Sequence, residues 1–293
     1  MCLAPICLFT YNRLEETKKT VEALKNNFLA CESELYIFSD GWKKDASKQK
    51  IVKVREYIKS IEGFKKITIK ESILNKGLAN SIIEGVTEIM NLYGSVIVLE
   101  DDLITSPNFL NFMNEGLTFY KNNSSVFSIS GYSMDLPSLK NHDKDYYLGV
   151  RASSWGWATW SRSWADIDWD ISDYVGFVNS IKSKKEFRKG GSDMPRMLAN
   201  QMNKKIDSWA IRWCYNQFKR KQYTIYPAAS KIVSIGFGAS ATHTKQTKRF
   251  DTTLDYSDQS TFSFDTVVIA NKKLIKEFNN KFSIYSRLKD KFL

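Results

Sequence analysis

The first 130 residues alternate short apolar runs with longer stretches in which apolar side chains recur every three or four positions. The short runs have the length of buried strands, and the longer stretches have the periodicity of helices that cover a sheet. This alternation predicts an α/β fold with a mostly parallel sheet flanked by helices. The predicted strands are 6–10, 35–39, 66–70, 96–99 and 126–130.

Polar clusters directly follow three of these predicted strands. The sequence YNR begins at Tyr11, SDG begins at Ser39, and the run VIVLEDDL adds Glu100, Asp101 and Asp102 to the end of the fourth strand. The carboxyl ends of parallel strands lie at one edge of a sheet, where ligands of such folds bind. We therefore expect the three clusters to converge on one site.

The second half of the chain has a different character. Five of the eight tryptophans lie within residues 153–169, and a glycine-rich run covers 234–244. Because the sequence shows neither an internal repeat nor a low-complexity linker, we expect both halves to share one core. The predicted organisation is a first half over 1–130, a second half over 131–270 and a basic amphipathic helix over 271–293.

The composition restricts the expected partners. Lys and Arg outnumber Asp and Glu by 43 to 32, which favours phosphorylated small molecules, other polyanions or anionic membranes. The basic residues are dispersed, so nucleic acid is not the expected partner. The four cysteines form no CxxC pair and predict a reduced, cytoplasmic protein. No apolar run approaches the ~20 residues that cross a bilayer, and the N-terminal run lacks the basic flank of a signal peptide.

Glu100, Asp101 and Asp102 stand side by side after an apolar strand. Neighbouring carboxylates repel one another and are costly to bury without a positive partner. Oxygen ligands of this kind suit a hard divalent cation, which is commonly shared with substrate phosphates. The alternative is structural, because Asp102 also precedes Ser106-Pro107, where we expect the next helix to begin with proline at its first position.

Six segments occur in the order found in GT-A-fold glycosyltransferases that use nucleotide sugars: PICLFTYNRLEET, LYIFSDG, NKGLANSI, VIVLEDDL, SSWGWATW and DSWAIRW. Across residues 4–245 the chain resembles the N-acetylglucosaminyltransferase I group and its bacterial relatives. The resemblance implies a UDP-sugar donor bound by the first half, an acceptor bound by the second half, and Mn²⁺ as cofactor, with Mg²⁺ as the alternative. It also implies that Asp102 coordinates the ion, while Glu100 and Asp101 contact the sugar and the nucleotide of the donor.

Four further residues are expected to contact the nucleotide, of which Arg13 and Asp40 are implied by the resemblance. Arg13 is expected at the diphosphate, because a guanidinium fork suits phosphate oxygens, and its alternative is an ion pair with a neighbouring glutamate. Asp40 is expected to accept a hydrogen bond from uracil, or else to serve the turn that Asp-Gly favours. Lys76 either adds positive charge near the nucleotide or is a solvated lysine at a helix start. Thr10 completes this set.

Asp207, in the sequence DSW, matches the catalytic base of the resembled family. A hydroxyl is a poor nucleophile at neutral pH, and a positioned carboxylate accelerates its attack typically by about 10²–10⁴-fold. One base opposite a leaving diphosphate implies a single displacement with inversion at the anomeric carbon. The alternative is an N-cap for the helix that carries Ile211, Cys214 and Tyr215.

Tryptophan faces stack on the apolar faces of pyranose rings and exclude water. By resemblance, Trp155, Gly156 and Trp157 are expected, together with Trp209, to shape the pocket for the donor sugar and the acceptor. The tryptophans expected to pack in the core instead are Trp160, Trp164 and Trp169.

His243 ends the glycine-rich run GFGASATH. The glycines predict a loop that closes over the bound nucleotide and excludes water. His243 is expected either as a further metal or phosphate contact or as an ordinary loop residue.

Residues 272–293 carry an apolar stripe at helical spacing, surrounded by lysines and arginines. A basic amphipathic helix of this kind lies in an anionic membrane interface, or it docks on its own domain. The stripe consists of Leu274, Phe278, Phe282, Tyr285, Leu288 and Phe292.

Three functions are compatible with the sequence. The main hypothesis is an inverting, metal-dependent glycosyltransferase that moves a sugar from a UDP-sugar to a glycan or lipid-linked acceptor during bacterial surface polysaccharide synthesis. It would work in the cytoplasm or on the inner face of the cell membrane. One rival is a nucleotidyltransferase, although no glycine-rich phosphate loop follows the first strand. The other rival is a non-catalytic protein that binds glycans or polyanions.

Overall fold

The computed structural model describes residues 3–236 and 249–289. Within these ranges the strands form one eight-stranded sheet and a two-stranded ribbon. The five predicted strands are all present, each within one residue of its predicted limits. The strands are β1 (Ile6–Thr10), β2 (Glu34–Ser39), β3 (Lys66–Glu71), β4 (Ser95–Glu100), β5 (Leu103–Thr105), β6 (Val126–Ser130), β7 (Tyr146–Gly149), β8 (Trp157–Trp160), β9 (Tyr223–Pro227) and β10 (Ile232–Ser234).

The large sheet has the strand order β3-β2-β1-β4-β8-β6-β9-β7. Only β8 and β7 run antiparallel to their neighbours, so six of its eight described strands point the same way, as predicted. In the register of the sheet, Thr10 pairs with Ser39, and Phe9 pairs with Glu100. The carboxyl ends of β1, β2 and β4 therefore lie at one edge, which brings the three polar clusters together.

Helices cover both faces of the sheet. Among the described residues, none of them has the length and apolar content needed to cross a membrane. The helices are α1 (Leu14–Lys25), α2 (Asp45–Ile58), α3 (Leu78–Tyr93), α4 (Phe109–Phe119), α5 (Ser161–Trp164), α6 (Tyr174–Asn179), α7 (Ile181–Phe187), α8 (Met194–Met202), α9 (Trp209–Arg220), α10 (Lys272–Lys281) and α11 (Ile284–Lys289).

The central strands β1 and β4 are buried on both sides, which is why they occur as uninterrupted apolar runs. Side chains alternate along a strand, so Ile6 and Leu8 of β1 lie in one hydrophobic cluster with α1, α2 and α4. Cys7 and Phe9 lie in a second cluster on the opposite face, together with Ile82 of α3 and residues of α9. These two clusters hold the strand ends at fixed positions.

The two halves of the chain interlock through β8. This strand follows residue 150 in the sequence, yet it lies between β4 and β6 of the first half. Trp157 pairs with Val98 on one side and with Ser130 on the other. Both hydrophobic clusters contain residues from each half, so the sheet and its packing are common to both.

The helix expected at Ser106-Pro107 begins later, at Phe109. The chain is still extended at this point because β5 pairs with β10, and the N–H of Ser106 donates to the carbonyl of Lys231 at 2.9 Å. The hydroxyl of Ser106 donates to Asn108 at 2.7 Å. Pairing of the ribbon therefore overrides the helix-start signal of proline, and Asp102 lies too far from α4 to act as its N-cap.

The expected C-terminal helix is divided into α10 and α11. The hydroxyl of Ser283 accepts the N–H of Ser286 at 3.1 Å and so caps a new helix within the predicted one. Leu274, Phe278 and Phe282 are buried in the first hydrophobic cluster, so α10 docks on its own domain. Tyr285 and Leu288 of α11 are exposed, and Phe292 lies outside the described residues.

Candidate active site

Glu100, Asp101 and Asp102 form the turn that joins β4 to β5. Glu100 ends the strand, and the turn directs the next two carboxylates to different environments. Asp101 is buried, whereas the side chain of Asp102 is partly exposed. Of these two aspartates, Asp102 is therefore the one more open to an incoming ligand.

Arg13 joins the two aspartates. Its Nη2 donates to Oδ1 of Asp101, and its Nη1 donates to Oδ2 of Asp102 at 2.9 Å. The backbone N–H of Tyr11 donates to the other oxygen of Asp101 at 3.2 Å. The alternative considered for Arg13, an ion pair with a neighbouring glutamate, is not its main contact, and Glu15 pairs with Lys18 at 3.1 Å.

The carboxylates of this turn outnumber their cationic partner. Burial, followed by repulsion from the two aspartates, raises the pKa of Glu100 to about 8, although Arg13 opposes this shift. Burial also raises the pKa of Asp101 to about 6 against the opposing charge of Arg13. Three oxygen-bearing acids with a single guanidinium are short of positive charge, so their chemistry fits a hard divalent cation. Within the described ranges no three His, Cys, Asp or Glu side chains are arranged so that they could hold a metal ion together, so a bound ion would need most of its oxygen ligands from the substrate.

The glycine-rich run begins against Asp102. The N–H of Ile235 donates to the carbonyl of Asp102 at 2.8 Å, and a Cβ atom at position 236 would lie 2.0 Å from Oδ2 of Asp102. Only glycine allows the backbone to approach so closely. Gly236 is therefore part of the site. The sequence indicated it only as one member of the glycine-rich run 234–244. The continuation of that run, including His243, lies outside the described residues.

Asp40 organises the loop that leads into α3. Its carboxylate accepts hydrogen bonds from the N–H groups of Gly41, Lys76 and Gly77 at 2.9, 2.9 and 3.0 Å. It also accepts from Nδ2 of Asn75 at 3.0 Å. A carboxylate has about four acceptor positions, so these contacts occupy Asp40 and realise the turn role that was the alternative to binding uracil.

Lys76 and Thr10 both belong to the edge of the sheet but face neighbours within the chain. The ammonium group of Lys76 pairs with Glu84 of α3 at 2.5 Å. The hydroxyl of Thr10 donates to the carbonyl of Phe38 at 3.4 Å and so links β1 to β2. Neither side chain contacts the carboxylate turn directly in the contacts described.

Sequence reasoning missed Arg55, which fastens the ends of β2 and β3. Its Nη2 donates to the carbonyls of Ser39, Asp40 and Ser72 at 3.2, 3.2 and 2.7 Å. Nothing in the sequence separates Arg55 from the other basic residues of α2. Tyr11 was also missed as a contact of Asp101, although it lies in the quoted sequence YNR.

Trp157 and Trp209 are core residues, contrary to the expected sugar contact. Trp157 is 1% exposed, and its ring centroid lies 5.1 Å from that of Trp209. Trp164 and Trp213 complete the cluster, both within 5.6 Å of Trp157. The apolar environment created by β8, α5 and α9 takes up these rings, so they present no face to a ligand.

Trp155 and Gly156 lie at the start of β8. Trp155 is half-buried and packs edge-on against Tyr132, with centroids 4.7 Å apart. Gly156 has a φ angle of 57°, and a Cβ atom there would lie 2.8 Å from Ile232. Both the backbone conformation and the space require glycine at this position.

Asp207 is exposed immediately before α9. The N-cap of α9 is Ser208, whose hydroxyl accepts the N–H of Ile211 at 3.3 Å, so Asp207 does not have the structural role considered for it. Its carboxylate is 64% exposed and accepts a hydrogen bond from Arg212 at 3.3 Å. Two residues after Asp207, Trp209 packs on Trp157, which pairs with Val98 near the carboxyl end of β4.

Comparison with known proteins gives a family. The model of Glycosyl transferase family 2 matches residues 6–183, which is more than half of the chain. No curated protein matches the sequence.

Two solved structures are similar to parts of the chain. One is the mannosyltransferase PcManGT from Pyrobaculum calidifontis in complex with GDP-Man and Mn2+, at 9% identity and a TM-score of 0.38, over 55% of this chain and 45% of that one. The other is S. aureus TarS 1–349, at 7% identity and a TM-score of 0.42, over 79% of this chain and 60% of that one. The chain thus spans about half of the length of these structures.

The family match includes β1, β2, β4 and the carboxylate turn, and the sheet has the mixed, mostly parallel topology that was predicted. The chain belongs to Glycosyl transferase family 2.

Proposed function

We propose that the chain is an inverting, metal-dependent glycosyltransferase of the GT-A fold that uses a UDP-sugar. The observation that carries the proposal is the contact of Arg13 with both Asp101 and Asp102 at the ends of β1 and β4. This contact gathers one phosphate-binding cation and one open carboxylate at the ligand-binding edge of the sheet. By similarity to the N-acetylglucosaminyltransferase I group, the donor sugar meets Glu100, and the nucleotide meets Asp101.

Arg13 and Asp102 form the diphosphate end of the proposed site. Asp102 would hold Mn²⁺ or Mg²⁺, and such an ion stabilises negative charge on a departing diphosphate as a Lewis acid. The guanidinium of Arg13 turns from Asp102 to the phosphate oxygens when the donor binds, while Asp101 keeps its hydrogen bond from the Tyr11 N–H. The positive charge of Arg13 is therefore paired with Asp102 in the free protein and with the diphosphate once the donor is bound.

Asp207 is the proposed catalytic base. Its carboxylate takes the proton of the acceptor hydroxyl while the new C–O bond forms at the anomeric carbon and the bond to the diphosphate oxygen breaks. Attack from the face opposite the leaving group inverts the anomeric configuration. Arg212, at 3.3 Å, orients the carboxylate. We assign a glycan or lipid-linked acceptor and a cytoplasmic role in bacterial surface polysaccharide synthesis.

The nucleotidyltransferase alternative is disfavoured by the connection between β1 and α1. Only three residues join them, and none is a glycine, so this connection offers no glycine-rich loop to cradle a triphosphate. The glycan-binding alternative does not explain why Glu100, Asp101 and Asp102 lie together with Arg13 as their cationic partner.

A thermal-shift panel tests the proposal directly. UDP and one UDP-sugar should raise the melting temperature in the presence of Mn²⁺ but not with a chelator, because a ligand that binds the folded state stabilises it by mass action. Asp102→Asn should abolish the metal-dependent shift, whereas Asp258→Asn, at an exposed position, should retain it.

Two outcomes would replace the proposal. Stabilisation by a nucleoside triphosphate alone would favour the nucleotidyltransferase, and no response to any nucleotide would favour the glycan-binding protein. Once the donor is identified, NMR of the product tests the stereochemistry, and retention of the anomeric configuration would exclude Asp207 as the base of a single displacement.

A further inference from the structure

The helices α6 and α7 present apolar side chains to solvent. Phe177 and Phe187 anchor them in the core, with ring centroids 5.5 Å apart. Val175, Val178 and Ile181 point away from this anchor and are 70%, 38% and 81% exposed. Val175 and Val178 are three residues apart on α6, so they share one helix face.

The helix α11 presents a second apolar face. Ile284, Tyr285 and Leu288 are exposed, and their spacing of three and four residues places them on one side of the helix. The apolar side chains Leu274 and Phe278 of the preceding helix, α10, are buried in the core and are not exposed to solvent. The surface suggested by the C-terminal sequence is therefore confined to its α11 part.

These two regions adjoin each other. The residues that follow α7 form a 3-10 turn, Arg188–Gly190, and Nδ2 of Asn279 in α10 donates to the carbonyl of Arg188 at 2.9 Å. Arg287 of α11 donates to Oγ of Ser192 at 3.3 Å. Ser192 in turn donates to the carbonyl of Phe282 at 2.6 Å, between α10 and α11. We call these regions together the α7/α11 surface. Its apolar residues are Val175, Val178, Ile181, Ile284, Tyr285 and Leu288, and its basic residues are Lys182, Lys184, Lys185, Arg188, Lys189, Lys281, Arg287 and Lys289.

The α7/α11 surface is also strongly basic. Its two segments, residues 174–190 and 281–289, contain eight of the 43 Lys and Arg residues of the chain but only one of its 32 Asp and Glu residues. This acid, Glu186, pairs with Lys189 at 2.5 Å. Most of the positive charge on this face is therefore uncompensated.

We infer that the α7/α11 surface docks on a lipid bilayer with anionic headgroups. Exposed aliphatic side chains enter the boundary between headgroups and acyl chains, and surrounding lysines and arginines each gain about 1 kcal/mol near an anionic surface. Tyr285 has the apolar ring and polar tip that suit this boundary. A nucleic acid would use the cations but would leave the six apolar side chains in water.

This surface is connected to the proposed active site through α9. Tyr215 of α9 packs against Phe177 of α6, with ring centroids 5.2 Å apart, and α9 begins two residues after Asp207. A bilayer bound to α6 and α7 would therefore lie against elements that pack on α9, the helix that Asp207 precedes. The inference does not depend on the identity of the donor or acceptor, and its test requires no substrate.

Flotation of the full chain with lipid vesicles tests the inference. We expect binding to vesicles that contain phosphatidylglycerol, little binding to pure phosphatidylcholine vesicles, and loss of binding at high salt. The double variant Lys182→Glu with Lys185→Glu should weaken binding by roughly a thousandfold, because four units of charge change near the surface. The double variants Val175→Ser with Ile181→Ser and Ile284→Ser with Leu288→Ser should each weaken it by roughly tenfold.

The matched control is Val267→Ser with Ile269→Ser, which removes two comparably exposed apolar side chains outside the surface and should leave binding unchanged. Because all these side chains are exposed, each variant should keep its melting temperature, which is measured alongside. Absence of binding to anionic vesicles, equal binding to neutral ones, or equal loss in the control would overturn the inference. So would a dimer in sedimentation velocity that the surface variants abolish, since the surface would then bind a second copy of the chain.

Discussion

The proposed donor side and the proposed acceptor side of the site are held in different ways. On the donor side, Arg13 and the Tyr11 N–H bind Asp101, Arg13 also binds Asp102, and Gly236 packs against the same carboxylate. On the acceptor side, Asp207 is exposed and is held by Arg212. Groups that stabilise developing charge work best when they are fixed in advance. Substitutions on the proposed donor side should therefore change both stability and activity. The proposed base makes few contacts with the rest of the fold.

This difference predicts that changes on the acceptor side alter activity alone. Asp207→Asn should lower kcat by about 10²–10⁴-fold, because the acceptor hydroxyl loses its base. The melting temperature and the affinity for the UDP-sugar should stay unchanged, since the side chain is exposed. Steady-state kinetics and thermal unfolding measure these quantities.

The neighbouring residue gives the opposite pattern and serves as a control. Ser208→Ala removes the N-cap of α9 and should lower the free energy of unfolding by about 1 kcal/mol while most of kcat is retained. Full activity in Asp207→Asn would remove this residue from the mechanism.

On the donor side, Arg13→Gln should change stability and binding together. The substitution leaves the buried carboxylate of Asp101 without its charged partner, which costs about 3 kcal/mol of unfolding free energy. Affinity for UDP should fall, whereas Mn²⁺ alone should bind more tightly because Asp102 no longer pairs with the guanidinium. Urea denaturation and electron paramagnetic resonance of Mn²⁺ measure the two effects.

Lys18→Gln is the matched control for Arg13→Gln. It breaks the exposed pair with Glu15 and should change stability by less than about 1 kcal/mol. Equal stability of the two variants would show that the donor side is no more tightly coupled to the fold than the surface is.

Gly236→Ala tests the close approach of the backbone to Asp102. The new methyl group would meet Oδ2 of Asp102, so the backbone or the carboxylate must shift, at a cost of about 1–3 kcal/mol. Metal-dependent binding of UDP should weaken as well. Gly176→Ala on α6 has open space around its new Cβ and should be neutral or slightly stabilising. A Gly236→Ala variant with normal UDP binding would contradict the proposed role of Asp102.

A buried ion pair supports the donor side and gives it a pH signature. Lys231, next to β10, pairs with Asp255. Although burial opposes ionisation, hydrogen bonds from Lys231, from the Ser257 N–H and from Asn108 lower the pKa of Asp255 to about 2. An acid whose pKa is lower in the folded state stabilises the fold above its unfolded pKa of about 4, and this contribution is lost as the pH falls toward 2.

The contribution of Asp255 amounts to roughly 2 kcal/mol. In Asp255→Asn the acid-dependent part of the unfolding free energy between pH 4 and pH 2 should shrink by that amount, as measured by urea denaturation across this range. An unchanged pH profile would show that the pair does not support the ribbon of β5 and β10.

The sheet and the position of the carboxylate turn could be predicted because their signals are local. The strand Val96–Leu99 and the three acids after it are contiguous in the sequence, and parallel strands end at a common edge whatever the rest of the fold does. The pairing of Arg13 with Asp101 joins residues 88 positions apart. The resemblance placed both residues at the donor but did not reveal that they bind each other.

Other parts of the site depend on the environment of each side chain, which the sequence does not specify. Tryptophan is suited to both sugar binding and core packing. In the structure, Trp157 and Trp209 pack against each other in the core. Asp207 and Ser208 are both able to cap a helix, and the backbone direction at the start of α9 selects Ser208. Asp40 is occupied by a loop about 35 residues away, and no local pattern announces that contact.

The insertion of β8 between β4 and β6 limits how this protein can be engineered. A chimera that replaced the second half of the chain with that of a relative would also replace a central strand of the donor sheet, since Trp157 pairs with Val98. Each foreign acceptor half would have to match the side chains on both flanking strands. New acceptor specificity is therefore best sought by redesigning the exposed loop before α9, which carries Asp207, rather than by exchanging domains.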